Sequence, residues 1–423
     1  MLCLLTALGS YGDVYPMVGL GEALRRRGHE VRLIANPHFE SVVNGAGLQL
    51  VPVSSAEEYD EFTACRELWS PKEGLRLIFK RGAMAVLEEL YEKLGQLHCP
   101  GETVIAAHGL DLASRVFAET HDAPVAAAVF APMAIWSNQS PPRLPSGVAW
   151  PGAPRWLHRL QFTAAEHLIL RRLAVDELEA FRSQQGLAPL RGGYWDWYYG
   201  VAPPLGLFPD WFVSPDGRTP ADWPPGSATT GFPFGDALSD PALSPELLRF
   251  LDAGEPPIVF TPGSAMRFGE RFFAAAVGAC QRLNRRGVLL TKYSEHLPND
   301  LPDTILAPGF TPLARLLERT AAFVHHGGIG SSARGLAAGV PQLIQPMAFD
   351  QYDNAWRLRR LGVAEELPPK RFTARRVAEK LDRLLSDPEV SRACARWAGR
   401  VDREAALEAA CEHLESRLVG GSD

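Results

Sequence analysis

The chain has 423 residues, of which 46% are hydrophobic and 22% charged, with a formal net charge of -6 at pH 7. This length and composition predict a globular protein of about two domains. The acidic balance is not that of a nucleic-acid-binding protein, which usually has a basic face, and no apolar run reaches the roughly 18 residues that span a bilayer.

The start of the chain and its cysteines bear on where the protein works. Residues 1–8 are apolar, carry no basic group and run directly into a glycine-rich turn, so we expect a buried first strand and not a signal peptide. The six cysteines are scattered, without the spacing of a metal site or redox pair. A reduced, cytoplasmic setting is the simplest interpretation.

The first fifty residues alternate between apolar runs and amphipathic segments. Residues 2–8 predict a strand buried on both faces, and a helix follows from about residue 16 to 27, with Pro16 in its first turn. A strand, a helix and a strand are then predicted at 30–35, 39–44 and 48–53. This βαβαβ order predicts a parallel sheet covered on both faces.

The same alternation begins again after Pro257, with a strand at 258–261, a helix at 269–286 and a strand at 288–291. We therefore expect two separately folded Rossmann-like units. The predicted boundaries are an N-terminal domain at 1–215, a linker region rich in proline and glycine at 216–256, a second domain at 257–400, and a C-terminal helix at 401–423 that packs back toward the first domain.

Residues 130–211 are rich in aromatic side chains and proline, and a predicted helix at 154–185 interrupts them. Two interpretations stay open: loops that pack on the core, or an apolar pocket for a small molecule. In the second, the lining residues are Phe130, Met133, Trp136 and Trp195.

The strongest local motif is a glycine loop at 325–332, between a predicted strand at 321–324 and a helix that starts near Ser331. The N–H groups at a helix N-terminus bind phosphate, and glycines let the backbone approach the anion. The predicted phosphate ligands are His326, Gly328, Gly330, Ser331 and Ser332. The motif is neither the dinucleotide fingerprint nor a Walker loop, and a helix-capping turn with two core histidines is the alternative.

A second polar pair, Asp350 and Gln351, follows the next predicted strand at 342–344. In an open α/β sheet this pair leaves the same edge as the glycine loop, and ligands bind at that edge. A carboxylate beside an amide suits a sugar with several hydroxyls. The alternative is a cap for a helix at 354–361, for which Asp353 is the better candidate.

Together these motifs resemble the donor half of the family 1 glycosyltransferases of GT-B fold, which include plant and bacterial natural-product enzymes. The glycine loop, the Gly-Val-Pro at 339–341 and the pair Asp350 and Gln351 carry the likeness. The segment at 261–264, with Ser264, resembles the family's phosphate turn. The segment at 309–312, with Phe310 and Pro312, resembles its base-stacking turn, although many members have Trp at the position of Phe310.

The N-terminal segment at 9–16 resembles the acceptor-side signature of the bacterial branch. Within the family, the rhamnosyltransferases of rhamnolipid synthesis look closest, through segments at 206–211, 230–233 and 350–354. Plant members carry a Glu that holds the ribose where this chain has Arg334, so the choice between uracil and thymine stays open.

The resemblance implies two Rossmann-like domains facing across a cleft, the first binding the acceptor and the second the nucleotide sugar. It implies transfer of a hexose from a donor of the UDP-glucose or dTDP-rhamnose type to a hydroxyl of a small apolar acceptor, with no cofactor and no nucleic-acid partner. Gly12 joins the donor-binding residues. A lipid acceptor would bring loose membrane association, and the oligomeric state is not predicted.

The resemblance makes Asp13 the catalytic base, because plant members have a His there and the bacterial branch an Asp. His108 follows the predicted strand at 103–107, where plant relatives carry the Asp that supports their His. Since a free aspartate is a weak base at neutral pH, we expect His108 to orient Asp13 or relay its proton. The alternatives are a carboxylate at a helix N-terminus and a solvated loop histidine.

No Asp-x-Asp metal motif is present, so the expected mechanism is an inverting displacement without metal, in which His326 and the helix N-terminus neutralise the diphosphate. Three other functions stay open on sequence alone: a nucleotide-sugar epimerase, a donor-binding partner without catalysis, and a lipid-binding protein that uses the aromatic segment.

Overall fold

The computed structural model describes residues 1–70, 73–144, 152–235, 242–264, 266–309 and 311–419. The chain divides into two compact units, Met1–Leu238 with Arg403–Asp423, and Ser239–Asp402. The division falls inside the region 216–256 that the sequence marks as a linker.

The first unit is built on a parallel sheet whose strands are β1 (Leu2–Ala7), β2 (Glu30–Ala35), β3 (Gln49–Pro52), β4 (Thr103–His108), β5 (Val125–Val129), β6 (Pro204–Gly206) and β7 (Ala228–Thr229). Their order is β3-β2-β1-β4-β5-β6-β7. The chain turns outward on both sides of β1, as in a Rossmann fold. The carboxyl ends of β1 and β4 therefore flank a topological switch point, where such sheets bind ligands.

The helices of the first unit cover both faces of this sheet. They are α1 (Tyr11–Arg26), α2 (Glu40–Gly45), α3 (Ala56–Ala64), α4 (Glu73–Leu77), α5 (Leu87–Leu97), α6 (Ala113–His121), α7 (Arg155–Ala165), α8 (Asp176–Gln184), α9 (Tyr194–Val201) and α10 (Asp210–Val213), with 3-10 turns at Pro37–Phe39, Arg66–Trp69 and Pro132–Ala134. Two segments are π-helical, Ile78–Met84 and Glu166–Val175. The second joins α7 to α8, so the predicted long helix runs through all three.

The C-terminal helix, Arg403–Val419, belongs to the first unit. It contributes Leu407, Ala410, Cys411 and Leu414 to the core formed by β1, β2 and α1. Among the described residues, no helix combines the length and the apolar character that crossing a membrane requires.

α1 begins at Tyr11, not at the predicted Pro16, which lies inside the helix. Ser10 caps it: its Oγ accepts the Gly12 N–H at 3.2 Å, while Asp13 Oδ2 accepts the Ser10 N–H at 2.7 Å. This reciprocal pair is a capping box, with Asp in the place of the usual Glu or Gln. The glycines on both sides suggested a turn instead. Asp13 therefore lies in the first turn of the helix.

The second unit repeats the architecture with strands β8 (Ile258–Thr261), β9 (Gly287–Leu289), β10 (Ile305–Leu306), β11 (Ala322–His325), β12 (Gln342–Ile344) and β13 (Ala364–Glu366). All neighbours are parallel, in the order β10-β9-β8-β11-β12-β13. Its switch point lies between β8 and β11. The helices are α11 (Pro245–Asp252), α12 (Glu270–Leu283), α13 (Leu313–Leu317), α14 (Ile329–Ala337), α15 (Gln351–Arg360), α16 (Ala374–Ser386) and α17 (Pro388–Ala398), with 3-10 turns at Ser294–His296 and Pro369–Arg371.

Glu415 fastens the C-terminal helix, because its two carboxylate oxygens each accept from Arg27 at 2.7 Å and one also contacts His29 Nε2 at 2.7 Å. The hydrogen bonds from Arg27 lower the pKa of Glu415 to about 2. A carboxylate whose pKa is lower in the folded than in the unfolded chain stabilises the fold at pH values above its unfolded pKa. This stabilisation is lost as the pH falls through its folded pKa.

We expect Glu415→Gln to lower the midpoint of thermal unfolding by a few degrees, roughly 2–4 °C, at pH 7, since the pair is partly exposed. The difference from the unchanged protein shrinks toward zero as the pH falls from about 4.5 to about 2. Calorimetry at several pH values measures it. Glu408→Gln, at an exposed position of the same helix, is the matched control. An equal loss in the control, or a loss independent of pH, contradicts the assignment.

Candidate active site and donor site

Asp13 and His108 meet at the switch point of the first sheet, where His108 Nε2 lies 3.3 Å from Asp13 Oδ1. The Leu110 N–H donates to His108 Nδ1 at 3.1 Å. Because Nδ1 accepts, a neutral ring carries its proton on Nε2 and donates it to Asp13. Both ring nitrogens are engaged, so the geometry suits orientation of the carboxylate and not a proton relay through the ring.

Asp13 is the member of this pair that a substrate can reach. Its side chain is 29% exposed, against 7% for His108. Its second oxygen, Oδ2, accepts from the Ser10 N–H at 2.7 Å and from Ser10 Oγ at 3.2 Å. Donors on both oxygens hold the carboxylate in one orientation. The arrangement can take a proton from a nearby hydroxyl.

Gly9 makes room for that carboxylate. Its φ is +153°, and a Cβ there would lie far inside van der Waals contact with Asp13 Oδ2. Any side chain at this position would therefore strain the backbone and push Asp13 away from His108.

A buried network that the sequence argument missed supports His108 from beneath. The His108 N–H donates to Thr6 Oγ1 at 2.8 Å, and the Thr6 hydroxyl donates to Asp111 Oδ2 at 2.8 Å. Asp111 also accepts from the Ser114 N–H at 2.8 Å, which satisfies a backbone donor in the first turn of α6. The pattern Asp-x-x-Ser ahead of a helix was the available signal, since it is typical of an N-terminal cap.

The predicted acceptor residues separate into two places. Phe130 packs beside His108, with the two ring centroids 5.5 Å apart, and Met133 lies half-buried in the next 3-10 turn. Trp136 and Trp195 instead face each other, with ring centroids 4.6 Å apart, and line an open cavity of about 550 Å³.

The cavity walls combine aromatic and charged side chains. The Phe162 ring packs at a tilt against Trp136, with centroids 4.4 Å apart, and Tyr199 stacks on Trp195 at 5.5 Å. The remaining lining includes Arg159, Glu166, Asp196, Asp222 and Trp223. Most other aromatic residues of the segment, among them Tyr194, Trp197 and Tyr198, are buried in the core. Part of the aromatic segment thus packs in the core and part lines a cavity, and binding of a small molecule there stays a prediction.

In the second unit, the glycine loop leaves β11 at the switch point. His325 is fully buried, accepts the Gly327 N–H on Nδ1 at 3.0 Å and pairs with Gln342 Oε1 through Nε2 at 2.8 Å. Burial lowers its pKa to about 3. This histidine is neutral and shapes the loop, as the alternative of a core histidine proposed.

His326 is held differently. A Cβ on Gly263 would lie 3.0 Å from both ring nitrogens, and one on Gly328 would lie 2.5 Å from Nε2, so the two glycine backbones clamp the ring. Burial lowers its pKa to about 4, which leaves the ring neutral at pH 7. Its buried Nδ1 has no hydrogen-bond partner among the described residues. Such an orphaned buried nitrogen is expected where a ligand binds.

α14 begins at Ile329, two residues before the predicted start at Ser331. Gly328 occupies the cap position and no side chain caps the helix, so N–H groups of the first turn, which includes the exposed Gly330, stay open to an anion. Ser331 is half-buried in this turn. Ser332 is buried and its hydroxyl donates to Gly327 O at 3.4 Å. It braces the loop from inside in place of the predicted contact with phosphate.

The loop before α15 is fixed by its own side chains. Gln351 is buried, and its Oε1 accepts the Met347 and Ala348 N–H groups at 2.8 and 3.1 Å. Only the amide nitrogen, Nε2, is left to donate to a sugar. Phe349 has a φ of +54°. A left-handed bulky residue signals strain of the kind found at ligand sites.

Asn354 joins this loop to the glycine loop. It is fully buried, and its Nδ2 donates to Gly327 O at 2.9 Å and to Asp350 Oδ2 at 2.7 Å. Asn354 had no predicted role, because the helix was expected to start there. α15 instead begins at Gln351, and Asp353, predicted as the cap, is buried in an ion pair with Arg357 at 2.6 Å.

The predicted donor residues follow the carboxyl edge of the second sheet in a fixed order. Pro312 follows β10 and caps α13, Ser264 lies exposed after β8, His326 follows β11, and Asp350 follows β12. With strands about 4.8 Å apart, β10 and β12 lie about 19 Å from each other along this edge. Phe310 lies outside the described residues. Gly12 belongs to the first unit, where its N–H donates to Ser10 Oγ.

Residues 3–134 match the family model described as the glycosyltransferase family 28 N-terminal domain. Residues 286–411 match the erythromycin biosynthesis protein CIII-like C-terminal domain. A curated relative, the O-mycaminosyltylonolide 6-deoxyallosyltransferase of Streptomyces fradiae, is 30% identical over 97% of this chain and 96% of its own.

Solved structures show the same fold. The glycotransferase of kitacinnamycin has a TM-score of 0.73 at 20% identity and covers 99% of both chains. The glycosyltransferase VinC, solved in complex with DTDP, has a TM-score of 0.68 at 22% identity, over 99% of this chain and 100% of its own. Two parallel-sheet units of this kind are the GT-B fold. The chain therefore belongs to the bacterial branch of the family 1 glycosyltransferases of GT-B fold, and it is a glycosyltransferase.

Proposed function

We propose that this glycosyltransferase moves a hexose from a nucleotide diphosphate sugar, of the UDP-glucose or dTDP-rhamnose type, to a hydroxyl of a small apolar acceptor, with inversion and without a metal or cofactor. The observation that carries the proposal is the order of residues along the second sheet edge: Pro312 after β10, the glycine loop after β11 and Asp350 after β12. In a nucleotide diphosphate sugar, the nucleobase, the diphosphate and the sugar are linked in the same order. The DTDP bound to the similar VinC supports this donor class.

In the proposed reaction, the Asp13 carboxylate takes the proton of the acceptor hydroxyl as its oxygen attacks the anomeric carbon of the sugar. The bond between that carbon and the diphosphate oxygen breaks, and the electron pair leaves with the diphosphate. The first turn of α14 and the His326 ring stabilise the leaving anion. A single displacement inverts the anomeric configuration.

The acceptor part of the proposal rests on the aromatic cavity of Trp136 and Trp195, and on Phe130, whose ring packs beside that of His108. The relative named for transfer to O-mycaminosyltylonolide supports a natural-product acceptor. A lipid-like alcohol fits the same walls. Six free cysteines support a reduced, cytoplasmic setting for the reaction.

Turnover is the test of the proposed reaction. The purified chain, given dTDP-rhamnose or UDP-glucose with macrolide, fatty or sterol alcohols, is expected to yield an acceptor heavier by one sugar, detected by mass spectrometry. The NMR coupling constant between the anomeric carbon and its proton is expected to show the inverted configuration. A donor altered without acceptor would indicate an epimerase, and an unchanged donor with every acceptor would contradict the proposal.

We expect turnover to persist in excess EDTA, because no group of three His, Cys, Asp or Glu side chains in the described part of the chain is placed to hold a metal ion. Initial rates with and without the chelator measure this. A rate that collapses with EDTA and returns with magnesium or manganese would refute the assignment of charge neutralisation to α14 and His326.

His108→Ala is expected to lower turnover about tenfold with donor affinity unchanged, because the Asp13 carboxylate loses one of its orienting donors. His108→Gln, which keeps an N–H donor, is expected to recover part of the rate. Steady-state kinetics at saturating donor measure both. Equal rates in the two variants and the unchanged protein would show that the 3.3 Å contact has no role in catalysis.

A further inference from the structure

The long helix of the first unit carries an exposed apolar stripe. Six large hydrophobic side chains are exposed among the described residues, and four of them lie here: Trp156 (67%), Leu160 (59%), Leu168 (67%) and Ile169 (47%). Trp156 and Leu160 lie one turn apart on α7, and Leu168 and Ile169 follow about two turns later in the π-helical segment. Single exposed apolar residues are ordinary, whereas a cluster on one segment marks an interaction surface.

The segment that carries the stripe is basic up to the acids Asp176, Glu177 and Glu179 of α8, the first of which lies 3.9 Å from Arg171. Residues 155–175 contain four arginines, no lysine and one acid, Glu166, for a net charge of +3 with neutral histidines, in a chain whose net charge is -6. Arg155, Arg159, Arg171 and Arg172 are all exposed. Glu166 is engaged with the Tyr194 N–H. The local charge therefore opposes that of the whole chain.

We propose that this stripe docks the protein on a membrane surface that contains anionic lipid. Trp and Leu side chains of an amphipathic helix enter the boundary between headgroups and acyl chains, and flanking arginines bind lipid phosphates. A second copy of the chain is a poor occupant. A two-fold interface sets the same patch against itself and would bring the two sets of arginines together.

The docking places one wall of the aromatic cavity at the lipid surface, because Phe162, Thr163 and Glu166 of the same segment line that cavity. An acceptor dissolved in the bilayer would enter from there, a consequence that rests on the proposed function. The docking itself does not depend on the reaction and is measured without it.

Co-sedimentation of the full chain with phosphatidylcholine vesicles, with and without phosphatidylglycerol, tests the proposal. Binding to the anionic vesicles is expected to be about tenfold or more tighter and to weaken in high salt. Failure to bind anionic vesicles, or equal binding to both kinds, would overturn the proposal. Neither outcome bears on turnover with a water-soluble acceptor, which tests the proposed function separately.

The double variant Trp156→Ser with Leu160→Ser is expected to reduce vesicle binding about tenfold or more, and Arg171→Glu with Arg172→Glu to abolish the preference for anionic lipid. Leu248→Ser, at another exposed large apolar residue in the second unit, is the matched control and should bind like the unchanged chain. All these positions are exposed, and thermal unfolding checks the fold of each variant. Unaltered binding in the double variant would overturn the proposal. A dimer in solution that dissociates in the double variant would also overturn it, because the stripe would then bind a second copy of the chain.

Discussion

Asp13→Asn is expected to lower turnover about a thousandfold, within the range of a general-base contribution, while affinity for the nucleotide diphosphate stays unchanged. The substitution keeps the volume and leaves Oδ1 to accept from His108 Nε2, now at 3.3 Å. Among the described residues, it removes the only carboxylate at this switch point that is both accessible and oriented by donors on both oxygens. Single-turnover rates and calorimetric titration with dTDP or UDP measure the two quantities.

Two controls separate chemistry from folding. Asp122→Asn makes the same change at an exposed, left-handed position after α6, which Asn tolerates, and is expected to leave the rate unchanged. Gly9→Ala is expected to mimic Asp13→Asn in turnover by displacing the carboxylate, while Gly28→Ala, also left-handed but with nothing within 4 Å of its added Cβ, is expected to affect stability alone. Asp13→Asn with more than a tenth of the rate left would remove Asp13 as the base.

The pairing of Asp13 with His108 followed from topology and not from the two residues themselves. Once the βαβαβ order predicts a Rossmann sheet, β1 and β4 become neighbours, and residues after their carboxyl ends meet at the switch point. The same rule joins the turn after β8 to the glycine loop after β11. Sequence patterns that set strand order therefore predict which loops share a site.

What the sequence left open depends on rotamers and packing. The Leu110 N–H sets the tautomer of His108. The Ser332 hydroxyl and the Gln351 oxygen turn inward because they bind backbone groups that come into place only in the folded loop. Asn354 was missed for a related reason. Its role is to join two loops that are 27 residues apart in the chain, and periodicity carries no such information.

The aromatic segment at 130–211 shows why the acceptor-binding residues are hard to predict from sequence. Composition predicts that some of its rings are exposed, but Trp195 lines a cavity while its neighbours Tyr194 and Trp197 are buried, in one helix of eight residues. The helical period separates the two faces only when the start of the helix is known. Gly193 and Asp196 set that start, and a glycine in the cap position gives a weak sequence signal.

His326→Ala is expected to weaken the binding of dTDP or UDP about ten- to hundredfold. A hydrogen bond from a neutral ring to a charged oxygen contributes about 1.5–3 kcal/mol, and the ring is already clamped between Gly263 and Gly328, so little entropy is lost on binding. Because the ring also packs against its neighbours, His326→Ala removes both the N–H donor and the packing, and it does not separate the two effects. His326→Phe fills most of the ring volume without an N–H and is expected to bind as weakly as Ala.

The pH dependence gives an independent check of the same contact. Burial holds the ring pKa at about 4 in the free protein, and a bound diphosphate favours the protonated ring, so binding raises this pKa. Affinity linked to a pKa that rises on binding increases as the pH falls. The ratio of affinities between the unchanged protein and His326→Phe is therefore expected to widen as the pH falls from 7 toward about 4, as measured by calorimetry. Equal affinity in all three proteins, or a ratio that does not change with pH, would place the diphosphate away from His326.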